Sequence, residues 1–156
     1  MLPFILDDRL AKDTIHLLEL PLCRFLLMND RRYPWLILVP RHKGLSEIHD
    51  LRDKDQSTLI SEVTAATRAL EKLFQPKKIN VAALGNMVSQ LHIHVIARFE
   101  EDEAWPNPVW GIGKNESYSR NEAKRLVNQL TTTLLAWLIH SKIITDWSSE
   151  YNLSIR

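Results

Sequence analysis

Cysteine is nearly absent from this 156-residue chain, in which Cys23 is the only one. One thiol cannot close an internal disulfide or supply a four-thiolate zinc site, so neither stabilises the fold. Four glycines and seven prolines are too few for collagen-like or low-complexity sequence. An excess of one charge is also lacking, because 20 Lys and Arg balance 19 Asp and Glu. The chain therefore has no overall field for holding a nucleic acid or an anionic membrane.

Long hydrophobic runs are lacking too, since none approaches the roughly 18 apolar residues that a membrane span needs. The amino-terminal residues have no basic region of the kind that begins a secretion signal. We therefore expect a cytoplasmic protein that contacts no membrane. Hydrophobic residues make up 45% and charged residues 25% of the chain, as in globular proteins. Its length fits one domain over residues 1–156.

Three short apolar runs at 14–18, 23–28 and 35–39 have the length and boundaries of strands. The polar segment 29–34 between the second and third has the length of a hairpin loop. An antiparallel pair is the simplest interpretation.

The period of the apolar residues changes to three and four after Asp53, which predicts a long helix. Its apolar face consists of Leu59, Ile60, Val63, Ala66, Leu70, Leu73 and Phe74. Asp53 and Gln56 have the spacing of a capping box, and Pro76 should end the helix by Gln75.

Two further strands are predicted at 79–84 and 90–99, and a second helix after Ser119, with Glu122 completing a capping box. The apolar face of that helix consists of Leu126, Val127, Leu130, Leu134, Trp137 and Leu138. Residues 115–156 thus form a helical extension. Because strands and helices do not alternate strictly, we expect an α+β fold with an antiparallel sheet of about five strands.

The segment from Ser89 to Phe99 carries the chemistry. Alternation along a strand places Gln90, His92 and His94 on one side, with successive side chains roughly 6.5 to 7 Å apart. The opposite side is apolar and should face the core. We expect both imidazoles in one solvent-reachable cleft, where they could bracket a phosphate. An imidazole can also attack phosphorus and form a covalent adduct.

Two other interpretations of the histidine pair remain open. Histidines on strands are often structural residues with satisfied hydrogen bonds, and His92 with His94 could supply two ligands of a zinc site. Zinc needs at least one more ligand, and the other histidines, His16, His42 and His49, have no characteristic spacing. A metal site therefore ranks second.

The segment from Gln90 to Arg98 resembles the signature strand of the histidine triad (HIT) superfamily. Three other segments resemble that family in the correct order: the hairpin 29–40, the turn His49-Asp50-Leu51, and the phosphate loop at Gly85-Asn86. The resemblance covers roughly residues 14–100. It implies a HIT-like fold and a hydrolase or nucleotidyl transferase that needs no metal or cofactor.

The resemblance also implies roles for individual residues. The middle histidine of the triad, the family's nucleophile, falls on His92, which would attack the α-phosphate while its other ring nitrogen donates to a backbone carbonyl. His94 would contact phosphate or leaving-group oxygens. Asn29 matches a position near the ribose, and Asn86 one that donates to phosphate. The family usually pairs two protomers, so a homodimer is expected.

The chain departs from the family pattern at two positions. The first triad histidine is Gln90, which can still contact phosphate but cannot transfer a proton, and the usual hairpin histidine is Trp35. Both changes spare His92, so we expect altered leaving-group handling. The combination resembles a proteobacterial subgroup considered candidate diadenosine polyphosphate hydrolases. The alternative is a catalytically silent nucleotide-binding module.

Overall fold

The computed structural model describes residues 4–140. Its helices are α1 (Asp8–Asp13), α2 (Asp53–Phe74) and α3 (Arg120–His140), and a 3₁₀ turn covers Ile48–Asp50. Its strands are β1 (Thr14–Glu19), β2 (Cys23–Met28), β3 (Trp35–Pro40), β4 (Lys78–Ala82) and β5 (Ile93–Arg98). All neighbouring strands are antiparallel, in the order β1-β2-β3-β5-β4. The predicted α+β fold with five strands is confirmed.

Both faces of the sheet are covered. On one face, α2 and α3 pack their apolar stripes against β-strand residues such as Leu36 and Val95. On the other face, Trp35 and Ile96 belong to a second apolar cluster, which the amino-terminal residues and segment 101–113 complete. The central strands β3 and β5 are therefore buried along their whole length. Within residues 4–140, every helix is too short or too polar to cross a bilayer.

The helix boundaries follow the capping signals in part. Ser119 and Glu122 form the predicted capping box, with reciprocal backbone-to-side-chain bonds of 2.8 and 3.3 Å. The long helix ends before Pro76 as predicted, with Gln75 in the left-handed conformation at φ 49°. The capping box predicted for Asp53 is wrong, because Gln56 instead donates from its side chain to the carbonyl of Leu51. Residues 141–156 of the predicted extension lie outside the described residues.

The motif strand is shorter than predicted. The sequence indicates a strand over 90–99, whereas β5 begins only at Ile93. The reason is that the N–H of Leu91 donates to the carbonyl of Leu45, in the loop before α2, at 2.9 Å. Gln90 and His92 therefore lie on an extended approach to the strand. The sequence pattern also does not reveal α1, because its six residues are too few to show a helical period.

A buried carboxylate fixes the turn between β1 and β2. Glu62 of α2 accepts the backbone N–H groups of Leu22 and Cys23 at 2.9 and 2.8 Å. Burial raises the pKa of Glu62 and, together with that carboxylate, raises the pKa of the Cys23 thiol well above its usual range. Cys23 is thus a small residue of the core, and not a reactive thiol.

Candidate active site

The two histidines lie where β5 begins. His92 immediately precedes the strand and His94 is its second residue. Their rings project from the same side, as the alternation predicts, and their centroids are 4.8 Å apart. This side is not the open cleft expected from the sequence, because His92 is only 7% and His94 only 6% exposed. The second apolar cluster covers most of it.

One ring nitrogen of His92 is held by the backbone. Its Nδ1 lies 2.7 Å from the carbonyl oxygen of Gln90. Because a carbonyl can only accept, Nδ1 carries the proton and Nε2 keeps its lone pair. Within residues 4–140, Nε2 has no protein partner and is not among the polar atoms sealed from solvent. The ring nitrogen with the free lone pair therefore reaches solvent, although most of the ring is covered.

A small cavity of about 20 Å³ lies beside His92. It is lined by Ser46, Glu47, Ala83, Leu84, Gly85, Gln90, Leu91 and His92. This volume holds about one water molecule. Gly85, the glycine of the phosphate loop suggested by the sequence, adopts φ 79° and forms one wall. A bound phosphate group could approach here only at the mouth, with the rest of a nucleotide lying outside the cavity.

Trp35 fixes the second histidine. Its indole Nε1–H donates to Nδ1 of His94 at 3.0 Å, so a neutral His94 carries its proton on Nε2. The rings of Trp35 and Trp110 lie 5.5 and 5.2 Å from that imidazole. Burial, with a smaller contribution from His92, lowers the pKa of His94 to about 3. His94 is therefore a neutral Nε2–H donor throughout the physiological range.

The neutral state of His94 predicts a pH dependence of stability. An unfolded histidine takes up a proton near pH 6.5, whereas the folded one stays neutral until about pH 3, so stability falls as pH drops below 6.5. Between pH 7 and 5 this costs about 2 kcal/mol of unfolding free energy. We expect His94→Gln to lose this part of the dependence in urea unfolding curves. Equal pH dependence in both proteins would contradict the assignment.

Gln90 lies next to His92, but its side chain faces the amino-terminal segment. The amide accepts the N–H of Asp7 and donates to the carbonyl of Ile5, both at 2.9 Å. Arg9 adds a bond to the carbonyl of Met87 at 3.4 Å. The phosphate contact inferred for Gln90 from the resemblance therefore competes with two backbone bonds that occupy its amide. Sequence offers no signal for this pairing, because the partners are 83 and 85 residues apart.

The two asparagines named from the sequence are placed differently. Asn29 follows β2, and its side-chain oxygen accepts the backbone N–H of Tyr118 at 3.0 Å, which ties the hairpin loop to the segment before α3. Asn86 is exposed on the loop after Gly85, whose backbone lines the cavity at His92. The structure thus brings Asn86 to the neighbourhood of the cavity, and it commits the Asn29 oxygen to a structural bond.

Arg98 is a structural residue at the far end of β5. Its guanidinium forms a two-point ion pair with Asp102 at 2.9 Å and donates to Asn80 and to the carbonyl of Asn107. The Trp105 ring lies 5.9 Å from it. This buried pair anchors the loop that carries Trp110 over His94. Trp110 is therefore part of the site, although it belongs to none of the sequence motifs.

A wider cleft of about 380 Å³ lies elsewhere, between the hairpin loop and α3. The cationic Arg31 on its wall is paired with Glu116 at 2.9 Å. Arg32 is likewise occupied by Asp30 and Glu103. Carboxylates therefore neutralise both arginines, and the lining of this cleft includes no histidine of the motif.

A metal at the histidine pair lacks further ligands. Within residues 4–140, no three His, Cys, Asp or Glu side chains come together in a way that could hold a metal ion. Nδ1 of both histidines is also engaged, with a carbonyl in one case and an indole N–H in the other.

Comparison with known proteins gives a consistent result. The HIT domain family model matches residues 9–101. Histidine triad proteins of known structure from Bradyrhizobium japonicum and Sinorhizobium meliloti are 41% and 45% identical, with TM-scores of 0.83 and 0.82. The alignments cover 85% and 83% of this chain and 98% and 96% of theirs. One from Marinobacter aquaeolei is 45% identical, with a TM-score of 0.83 over 86% of this chain and 98% of that one. No curated protein matches the chain.

Proposed function

The chain belongs to the HIT domain family of nucleotide-binding hydrolases and transferases, and from this we propose that it cleaves a nucleotide through a covalent adduct on His92. The bond broken would join the α-phosphate of a nucleoside polyphosphate or phosphoramidate to its leaving group. Diadenosine polyphosphates are the substrates we propose to test first. We also propose that this activity is cytoplasmic.

One observation carries this proposal. The carbonyl of Gln90 holds the proton of His92 on Nδ1, and the other ring nitrogen, Nε2, has a free lone pair that reaches solvent. A nucleophile needs this combination, because attack on phosphorus uses the unprotonated nitrogen. The hydrogen bond to the Gln90 carbonyl would also stabilise the positive charge that the ring gains in the adduct.

His94 supports the adduct as a hydrogen-bond donor. Its Nε2–H is free of protein partners within residues 4–140 and is not sealed from solvent. With its ring 4.8 Å from that of His92, it is placed to donate to an oxygen of the phosphate under attack. The indole N–H of Trp35 can only donate, so it keeps the proton of His94 on Nε2. A histidine at position 35, as in the family pattern, could either donate or accept and would leave the tautomer of His94 open.

Adduct trapping distinguishes this enzyme from a silent nucleotide-binding module, the alternative that the low exposure of His92 favours. We expect mass spectrometry after an acid-free quench to show a nucleotidyl group on the wild-type chain, located on His92 by peptide mapping. His92→Ala should bind nucleotide without any adduct. Binding in both proteins with no adduct in either would favour the silent module.

We also propose a homodimer that pairs through β4. This strand lies at the edge of the sheet, so one side of its backbone has no neighbouring strand within residues 4–140. Val81 on it is 51% exposed, and Leu84 and Met87 just beyond are 49% and 74% exposed. We expect the wild type to sediment as a dimer and Val81→Glu to shift it toward monomer. A wild-type monomer at micromolar concentration would contradict the proposal.

A further inference from the structure

We propose that this site is specific for leaving groups that depart as stable anions, such as the phosphate or nucleotide of a phosphoanhydride, and that it discriminates against amines and alkoxides. The inference rests on the proposed function and narrows its substrate class. The structural basis lies in the hydrogen bonds of His94 and Gln90, the two polar residues beside His92. Trp35 donates to His94, and the amino-terminal segment bonds to the amide of Gln90.

The need for a proton depends on the bond that breaks. In the first step, Nε2 of His92 forms a bond to the α-phosphorus, and the bridging bond breaks with its electron pair moving to the leaving group. A phosphate leaves as an anion without a proton, whereas an amine or alkoxide needs one. In the second step, water attacks phosphorus, the P–N bond breaks, its electron pair returns to Nε2, and the water proton passes to solvent. For a phosphate leaving group, atoms and charges balance over these two steps without a general acid.

His94 cannot supply the missing proton in this arrangement. To act as an acid it would have to be an imidazolium, with protons on both ring nitrogens. Its Nδ1 instead accepts the indole N–H of Trp35 at 3.0 Å, and a second proton there would face a donor. The surrounding rings of Trp35 and Trp110 also exclude most of the water that would stabilise the cation. Burial accordingly lowers the pKa of His94 to about 3.

The remaining polar groups around His92 are no better suited. The Gln90 amide is not an acid near neutral pH, and it is bonded to Ile5 and Asp7. Glu47, on the cavity wall, is exposed, and an ionised carboxylate accepts hydrogen bonds but has no proton to donate. Ser46 carries only a neutral hydroxyl. The Nδ1 proton of His92 itself stays on the ring and is donated to the carbonyl of Gln90.

A graded series of substrates tests the proposal on the wild-type protein. All share an adenosine 5′-phosphoryl group and differ in the leaving group: nucleotide phosphates, aryl esters from acidic nitrophenols to phenol, and a phosphoramidate. Since a general acid contributes about 10²–10⁴-fold, we expect kcat/KM to fall at least about 100-fold from nitrophenyl to phenyl ester and from anhydride to phosphoramidate. Values within about tenfold of one another would overturn the proposal.

His94→Gln separates hydrogen bonding from proton transfer. Glutamine retains a donor and an acceptor but cannot become a cation. We expect this variant to lower kcat/KM by a similar factor for every leaving group. A loss at least about 100-fold greater for the phosphoramidate than for the anhydride would show that His94 is a general acid and overturn the proposal.

Measurements on the wild-type protein also test the proposal. ¹⁵N NMR of the wild type should show His94 protonated only on Nε2 from pH 8 to 5, and an imidazolium at pH 7 would overturn the proposal. Absence of turnover and of adduct with every substrate would instead overturn the proposed function, and this inference with it. Rapid turnover of phosphoramidates would leave the proposed function standing and reject only the leaving-group specificity.

Discussion

Replacing His92 with alanine is expected to lower turnover of a nucleotide substrate by at least about 10³-fold, because the variant loses the atom that attacks phosphorus. Nucleotide binding should persist, since His94 and the loop at Gly85 remain beside this position. Hydrolysis rates measured on variant and wild type, with circular dichroism and ligand-dependent thermal shifts, check both parts.

His16→Ala is the matched control for this prediction. His16 is an exposed histidine on β1, so its removal should leave turnover within about twofold, as for surface substitutions far from a site. Free imidazole added to His92→Gly provides a second control, because an external nucleophile can restore activity only if the missing ring attacks the substrate. If His92→Ala retained turnover within tenfold of wild type, nucleophilic catalysis at this position would be rejected.

The elements that were predictable from sequence are those fixed by neighbours in the chain. The hairpin of β2 and β3, the end of α2 before Pro76, and the capping box at Ser119 each depend on residues a few positions apart. The alternation of β5 likewise placed His92 and His94 on one side of the sheet. Local propensity and period suffice for such features.

What could not be predicted depends on contacts across long stretches of chain. Trp35 reaches His94 because β3 and β5 pair in a register that sets Trp35 opposite Ile96, one diagonal step away. The Gln90 amide meets the amino-terminal segment 83 residues away. Trp35 and Gln90 each stand where the family pattern has a histidine. The sequence shows that these two histidines are absent, and only the structure shows what Trp35 and Gln90 contact instead.

These two contacts change the chemistry available to His92. In the sequence, Gln90 and Trp35 look like missing catalytic groups. In the structure, each has a defined task, since Gln90 holds residues 5–7 and Trp35 sets the tautomer of His94. In the function proposed above, the site would keep its nucleophile and a neutral donor and would give up proton transfer. This is the physical reason to expect selective leaving-group handling in place of inactivity.

Replacing Arg98 with methionine is expected to destabilise the protein by about 3–5 kcal/mol, since it leaves a buried carboxylate without its cation. The Asp102 side chain is 5% and the Arg98 side chain 2% exposed. Burial alone would raise the pKa of Asp102, but the bonds from Arg98 and from the backbone hold it below its usual value. The variant should therefore unfold at a lower urea concentration. Its loss of stability relative to wild type should become smaller as pH falls, because protonation of Asp102 removes the unpaired charge.

The ion pair between Lys77 and Glu100 provides a control for this prediction. It joins residues near the same end of the sheet at 3.1 Å, but its side chains are 61% and 56% exposed. Lys77→Met should therefore change the unfolding free energy by less than about 0.5 kcal/mol. Arg98→Met should in addition loosen the loop that holds Trp110 against His94, which tryptophan fluorescence would detect below the main transition. Equal, small effects of both variants would show that the Arg98–Asp102 pair does not anchor this loop.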